Sequence, residues 1–181
     1  MGIDCGTVNW GSVADWVSGI GSLSAAGMAL YLAKSSQKIR LKGFCGLRVI
    51  VGGGMPQTDV LSINVTNIGT RSTVVNNITM SVGRWRKRYA VITVVRDAYS
   101  VGVPYALADG QVAHWGIPLG DNNEWMRGLC RGFVTSESDV RSLLFFVHTN
   151  HGEKLKLAPE TEFLNSLSSV LLEEKKKLLA G

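Results

Sequence analysis

The chain holds three histidines and three cysteines, and the chemistry open to it begins with those six side chains. His148 and His151 lie close together at the end of an apolar run, and Cys130 precedes them. An imidazole beside a thiol can serve a hydrolase as base and nucleophile, and two imidazoles can begin a metal site. No third ligand or nucleophile lies near them in sequence, so the expectation is no catalytic residue, no metal and no cofactor. A small hydrolase using His148, His151 or Cys130 is the minor alternative. His114 reads as an ordinary strand residue. Cys5, Cys45 and Cys130 are widely spaced and odd in number, which suits neither a disulfide framework nor zinc spacing and predicts reduced thiols. The run Gly52 to Pro56 reads as a loop, since no Lys-Ser/Thr pair and no helix follows to make it a phosphate cradle.

A second chemistry is electrostatic. Arg84-Trp85-Arg86-Lys87-Arg88 puts four cations around one indole, a surface for an acidic protein face, anionic lipid or nucleic acid. The net charge is +5, yet no Lys or Arg occurs before position 34. Charged residues make up 18% of the chain, below the usual ~25% for a soluble domain, and 45% are hydrophobic. Such a composition excludes an intrinsically disordered chain.

Strands must position these groups. In Val60 to Arg84, Leu61, Ile63 and Val65 alternate with polar residues. Beyond an Asn67–Arg71 turn, Ile78, Met80 and Val82 do the same, which predicts a hairpin-like antiparallel pair. Ile39 to Val51 alternates with Leu41, Cys45, Leu47, Val49 and Val51 on one face, and Arg40, Lys42 and Arg48 on the other. Tyr89 to Arg96, a stretch around Val112 to Leu119, and Lys154 to Leu157 read as further strands. Leu143 to Val147 reads as a central strand covered on both faces. Asp121 to Glu124 predicts a capping box opening a short helix, with Trp125, Leu129 and Phe133 on one side and Arg127 and Arg131 facing away. Pro159 opens a last helix whose buried stripe is Phe163, Leu167, Val170 and Leu171.

Upstream, Trp16 to Ala33 is a run of 18 residues without a charge, about the length that crosses a bilayer as a helix. Trp16 and Tyr31 stand near its ends as interfacial aromatics, and Lys34, Lys38, Arg40 and Lys42 follow directly. Cations on that flank alone predict the N-terminus outside and the domain in the cytoplasm. A cleaved signal peptide would carry its cations before the apolar run. Gly21, Ala25 and Ala29 recur every four residues, a smooth face through which such helices would self-associate. With the domain beside a membrane, lipid is a nearer anion than nucleic acid, which is the less favoured partner.

Seven strands with a late inserted helix and a C-terminal helix predict a mainly β fold, an antiparallel β-sandwich. Leu61, Ile63, Val65, Thr66, Asn67 and Gly69 spell L-x-I-x-V-T-N-x-G behind the lead-in DWVSGIGSLSAAGMALYLA. In these features the chain resembles a loose group of short bacterial and prophage-encoded membrane proteins, each with one N-terminal transmembrane helix and an immunoglobulin-like domain. The resemblance implies a layout and no activity. The expected plan is an extracytoplasmic 1–12, a transmembrane helix 13–33, an immunoglobulin-like β-sandwich 34–158, and a helix 159–181 packed on it. The expected role is a membrane-tethered, cytoplasm-facing binding module for a protein partner, held at a bacterial inner membrane. A peripheral nucleic-acid- or lipid-binding domain acting through residues 84–88 is the alternative.

Overall fold

The computed structural model describes residues 12–52 and 57–180; Cys5, Trp10 and residues 53–56 of the expected glycine loop lie outside the described residues. The chain divides into two compact units, Met1–Lys38 and Ile39–Gly181.

Among the described residues the first unit holds one helix, α1 (Val13–Ser36), 24 residues long. Ser12 caps it: the hydroxyl accepts from the Asp15 amide, and the Asp15 carboxylate accepts from the Ser12 amide and hydroxyl at 3.0 and 2.9 Å. This capping box holds the free amides of the first turn. None of its residues is buried, and its mean hydropathy reaches 1.3. At 1.5 Å per residue it is roughly 36 Å long, enough by length and composition to cross a hydrocarbon core of about 30 Å. The helix runs past the expected end at Ala33, so Lys34 falls in its last turn, where the helix dipole favours a cation.

Among the described residues the second unit holds, besides a short 3-10 turn at Asp121–Asn123, eight strands and three α-helices. In chain order these are β1 (Leu41–Ile50), β2 (Thr58–Asn67), β3 (Thr73–Val82), β4 (Arg88–Ile92), β5 (Tyr105–Leu107), β6 (Val112–Pro118), α2 (Glu124–Gly132), α3 (Glu137–Arg141), β7 (Leu144–Thr149), β8 (Lys154–Leu157) and α4 (Thr161–Ala180). Two antiparallel sheets result, one ordered β1-β2-β6 and the other β4-β3-β7-β8, with β5 pairing the first residues of β3. Cys45, Leu61, Ile63, Val65, Ala113 and Trp115 from the first sheet share one buried cluster with Val75, Ile78, Met80, Phe145 and Val147 from the second. Trp115 is fully buried, and its indole N–H donates to the Gly102 carbonyl at 2.7 Å, so the ring enters the core with no orphaned donor. The α4 stripe is as the heptad spacing predicts, with Phe163, Leu167, Val170 and Leu171 all buried, and Phe163 meets Phe145 edge-on at 6.2 Å.

Several expectations need correction. β2 and β3 are not a hairpin; they lie in different sheets. Alternation reports which face is apolar and is silent on which strand lies alongside. The chain crosses between sheets at Asn67, whose side chain accepts from the Gly69 amide and donates to the Arg71 and Leu107 carbonyls at 3.0, 2.8 and 3.2 Å. Such an Asx turn reverses the chain without a two-strand ladder.

No capping box opens α2. Asn122 and Asn123 adopt left-handed φ values of 52° and 59°, and no side chain caps the helix. Asn tolerates that region better than most residues. Its buried residues are Met126, Leu129 and Cys130, with Trp125 and Phe133 only partly buried, so the stripe is rotated from the expected one. The second capping box of the chain belongs to Ser136 and Asp139 of α3.

At the end of β1, Val49 and Val51 are exposed although they continue the alternation, because the covered part of the sheet has ended. On β7 only Phe145, Val147 and Thr149 are buried; Leu144, Phe146 and His148 are half-buried, so one face of this strand is open. β4 stops at Ile92, short of the expected Arg96, and β5 is an additional strand. Pro159 bridges to Cys45 and the helix begins two residues later, at Thr161.

Candidate binding surface

The loop between β3 and β4 carries the predicted tip. Gly83 has a φ of +97°, and a side chain there would collide with the Arg86 carbonyl, so this bend is closed to other residues. α3 clamps both ends of the loop. The Gly83 amide donates to the Ser142 hydroxyl at 2.9 Å, and Arg88 donates to Asp139 at 2.9 Å. Arg88 also stacks its guanidinium 6.0 Å from the Phe133 ring centre.

Asp139 is the anchor of this clamp. The same carboxylate oxygen accepts from the Thr135 amide, the Thr135 hydroxyl and the Ser136 amide at 3.0, 3.1 and 3.1 Å. Burial pushes its carboxyl up, but these bonds and Arg88 outweigh burial and leave it below the usual carboxylate value. Arg88 therefore also has a structural role at the base of the loop.

The remaining tip is open. Trp85 is 95% exposed, and Arg84, Arg86 and Lys87 make no ion pair among the described residues. Arg84 shares an open groove of ≈ 540 Å³ with Arg141, Ser138, Ser142 and Glu137 of the α3 segment. Arg141 was not legible as a neighbour of the tip, since the two are brought together only by the β3–α3 clamp.

The outer face of the five-stranded sheet continues from this tip. Val91, Thr79, Phe146 and Lys156 form one row across it, and Tyr89, Ser81 and Leu144 the row beside it. His148 is on this face too, with its Nε2 2.8 Å from the Thr79 hydroxyl; burial and the Lys154 cation hold its pKa down. His151 is exposed in the β7–β8 turn, whereas Cys130 is buried on α2, its thiol pushed up to about 11 by burial and the Glu174 carboxylate. Cys45 is fully buried and burial raises its thiol as well. Both thiols are thus held in the protonated, poorly nucleophilic form. Among the described residues no group of three or more His, Cys, Asp or Glu could hold a metal ion.

Sequence reasoning missed one polar constellation. Ser62 Oγ lies 2.9 Å from His114 Nε2 and accepts from the Asn64 side-chain Nδ2 at 3.2 Å, while the Tyr99 backbone engages the same ring. A hydroxyl, an imidazole and an orienting carbonyl have the composition of a nucleophile and its base. Ser62 is only 1% exposed, however, between Gly46, packed under Glu160, and Gly116, packed under Tyr99, so the hydroxyl has no room for a substrate. The register that aligns residues 52 positions apart carried no sequence signal.

On α1, Trp16 and Tyr31 are exposed, as are Gly21, Ala25 and Ala29. Lys34, Lys38, Arg40 and Lys42 are exposed as well, on either side of the division between the two units. Compared with known proteins, the chain matches no family model and no curated protein.

Proposed function

We propose that the chain is a membrane-tethered, cytoplasm-facing binding module, with α1 as a single-pass anchor in a bacterial inner membrane and the sandwich as the part that meets a protein partner. The observation carrying this reading is α1 itself. It is 24 residues long, apolar along its length and without a buried residue, and it leads straight into Lys34, Lys38, Arg40 and Lys42. An exposed apolar helix of that length costs free energy in water and is stabilised in hydrocarbon. A tether also raises the local concentration of the sandwich at the membrane, so that a weak contact suffices.

The sandwich is read as immunoglobulin-like. In that fold the first, second, fourth and fifth main strands form one sheet, and the third, sixth and seventh form the other. The order β1-β2-β6 against β4-β3-β7-β8 follows this plan with the fourth strand, β4, moved beside β3, and the β2–β3 crossover is the step that distinguishes it from a meander. Among the described residues Cys45 and Cys130 are free thiols, so no disulfide there joins the sheets.

Cell fractionation tests the anchor. The full-length protein is expected in the membrane pellet, resistant to high salt and carbonate and released by detergent. A full-length protein that stays in the supernatant without detergent would sink the reading.

A further inference from the structure

β4 is the last strand of its sheet, and among the described residues no strand pairs its far edge. From Arg84 to Arg96 the chain contains no acidic residue and no proline. Tyr89 and Val91 on β4, and Val95 beyond it, are 64, 67 and 68% exposed, and Trp85 in the preceding loop is 95% exposed. This is an open apolar edge of the kind that soluble proteins normally cover or interrupt. Past Ile92 the edge leads into a groove of ≈ 570 Å³ between residues 91–96 and 101–105, with Asn77 among its lining residues. There the β3 ladder has a gap. Val75 pairs with Tyr105 and Ile78 with Ile92, which leaves Asn76 and Asn77 without a ladder partner on that side. Both asparagines are exposed, with amide groups able to bond an incoming backbone.

The charges select the occupant. Arg84, Arg86 and Lys87 stand at one end of this edge and Arg96 at the other, none in an ion pair among the described residues. A second copy laid antiparallel on the edge would bring like charges together, which is destabilising. A bilayer supplies anions but no backbone amides and carbonyls to continue a ladder. We propose that the β4 edge binds an extended, acidic segment of a partner protein as an added strand, its backbone pairing with β4 and its acidic ends meeting Arg84, Arg86 and Lys87 on one side and Arg96 on the other. The strand and its continuation, residues 88–95, match a segment of about eight residues, or roughly 26 Å. The proposal rests on reading the sandwich as a binding module, and it names the surface and the chemistry of its partner.

The test presents random octapeptides displayed on phage to the full-length protein in detergent micelles. The expected selection is rich in Asp and Glu at the ends and in Val, Ile and Thr at alternate central positions. A synthetic peptide of that consensus should bind, and its affinity should fall by roughly tenfold or more when alternate amides are N-methylated, because the added ladder is lost. The double change Arg86→Glu with Lys87→Glu should weaken it by a similar factor, and Val91→Glu should do so while leaving the urea midpoint unchanged. Ile68→Glu, an exposed position outside this edge, should leave affinity as it was. Equal binding of the N-methylated peptide overturns strand addition. Selection without acidic enrichment overturns the charge assignment. Binding to phosphatidylglycerol vesicles by this edge, with no peptide enriched, assigns the surface to lipid and overturns the proposal. A dimer abolished by Val91→Glu assigns it to a second copy and does the same. Because fractionation reads the anchor alone, failure here and failure of the anchor are distinguishable.

Discussion

Arg88 donates to Asp139 at 2.9 Å and thereby ties the first residue of β4 to the first turn of α3, with the guanidinium 44% and the carboxylate 10% exposed. The two partners are unequal. Asp139 also caps α3 and receives three bonds from Thr135 and Ser136, so Asp139→Ala orphans donors that Arg88→Ala leaves satisfied. Asp139→Ala is expected to cost about 2 kcal/mol, from the lost cap and unmet amides. Arg88→Ala should cost about 1 kcal/mol or less, its charge being half in water. Urea unfolding of both variants decides this; equal losses would mean that the ion pair, not the cap, is what matters.

The same carboxylate has an acid signature. Its pKa in the fold lies below the ordinary 3.8, so its contribution is complete above that value and is lost as pH falls through the lower folded one. Glu160 and Glu174, held down by their bonds to Arg48 and to Arg127 with Arg131, add to this loss in the range below 4.5. Asp139→Asn should therefore flatten the fall of the thermal midpoint at the acid end and leave its value at pH 7 to pH 8 lowered but level.

His114 gives a dependence at higher pH. Burial lowers its pKa below 6.5, against a smaller upward pull from the Tyr99 backbone. A base depressed in the fold is neutral there and takes up its proton more readily when unfolded. Stability is thus complete above 6.5 and falls as pH drops from 6.5 through the folded value. His148 is depressed in the same sense by burial and Lys154. Replacing both with Gln should remove most of the decline between pH 7 and pH 5 in a calorimetric series. An unchanged slope would show that neither ring is held neutral.

Burial of Cys130, with a thiol pushed up to about 11, predicts silence toward alkylation. Iodoacetamide at pH 8 should leave the peptides carrying Cys45 and Cys130 unmodified in the folded protein and modify both in urea, read by mass spectrometry. Labelling of Cys130 in the folded state would mean that α2 opens from α4 despite Arg127 bridging to Glu173 and Glu174 at 2.7 and 2.8 Å.

What could be read from the residues and what could not divide along a physical line. Periods of two and of 3.6 are local, so most of the strands and the stripe of α4 were legible from spacing alone. Partners are not local. Leu61 and Met80 alternate in the same way whether their strands pair in one sheet or face each other across a core, and the outcome lies in which distant strands each one pairs with. The tip was legible as charge, but its neighbours were not. That Arg88 is tied to Asp139 and that Arg141 lines a groove with Arg84 both depend on α3, which is five residues long and has no apolar periodicity. The open edge of β4 was hidden for the same reason, since an edge is defined by a strand that is absent.

Orientation is the remaining expectation, and it follows from where the cations lie. Spanning helices place the flank richer in Lys and Arg in the cytoplasm. Before Trp16 there are none, and Lys34, Lys38, Arg40 and Lys42 follow the apolar run within nine residues. Acidic residues count for little in this bias, so Asp15 at the other end does not offset it. Alkaline phosphatase joined after Gly181 should then be inactive, and a fluorescent protein joined there should mature and fluoresce. Neutralising the four flanking cations should produce a mixed population with measurable phosphatase activity. Neutralising Arg84, Arg86 and Lys87 should not, because they lie more than forty residues beyond the helix, outside the roughly 15–20 residues over which flanking charge acts. Active phosphatase in the wild type would place the sandwich outside, turn its basic tip and β4 edge toward extracytoplasmic partners, and expose Cys45 and Cys130 to an oxidising compartment.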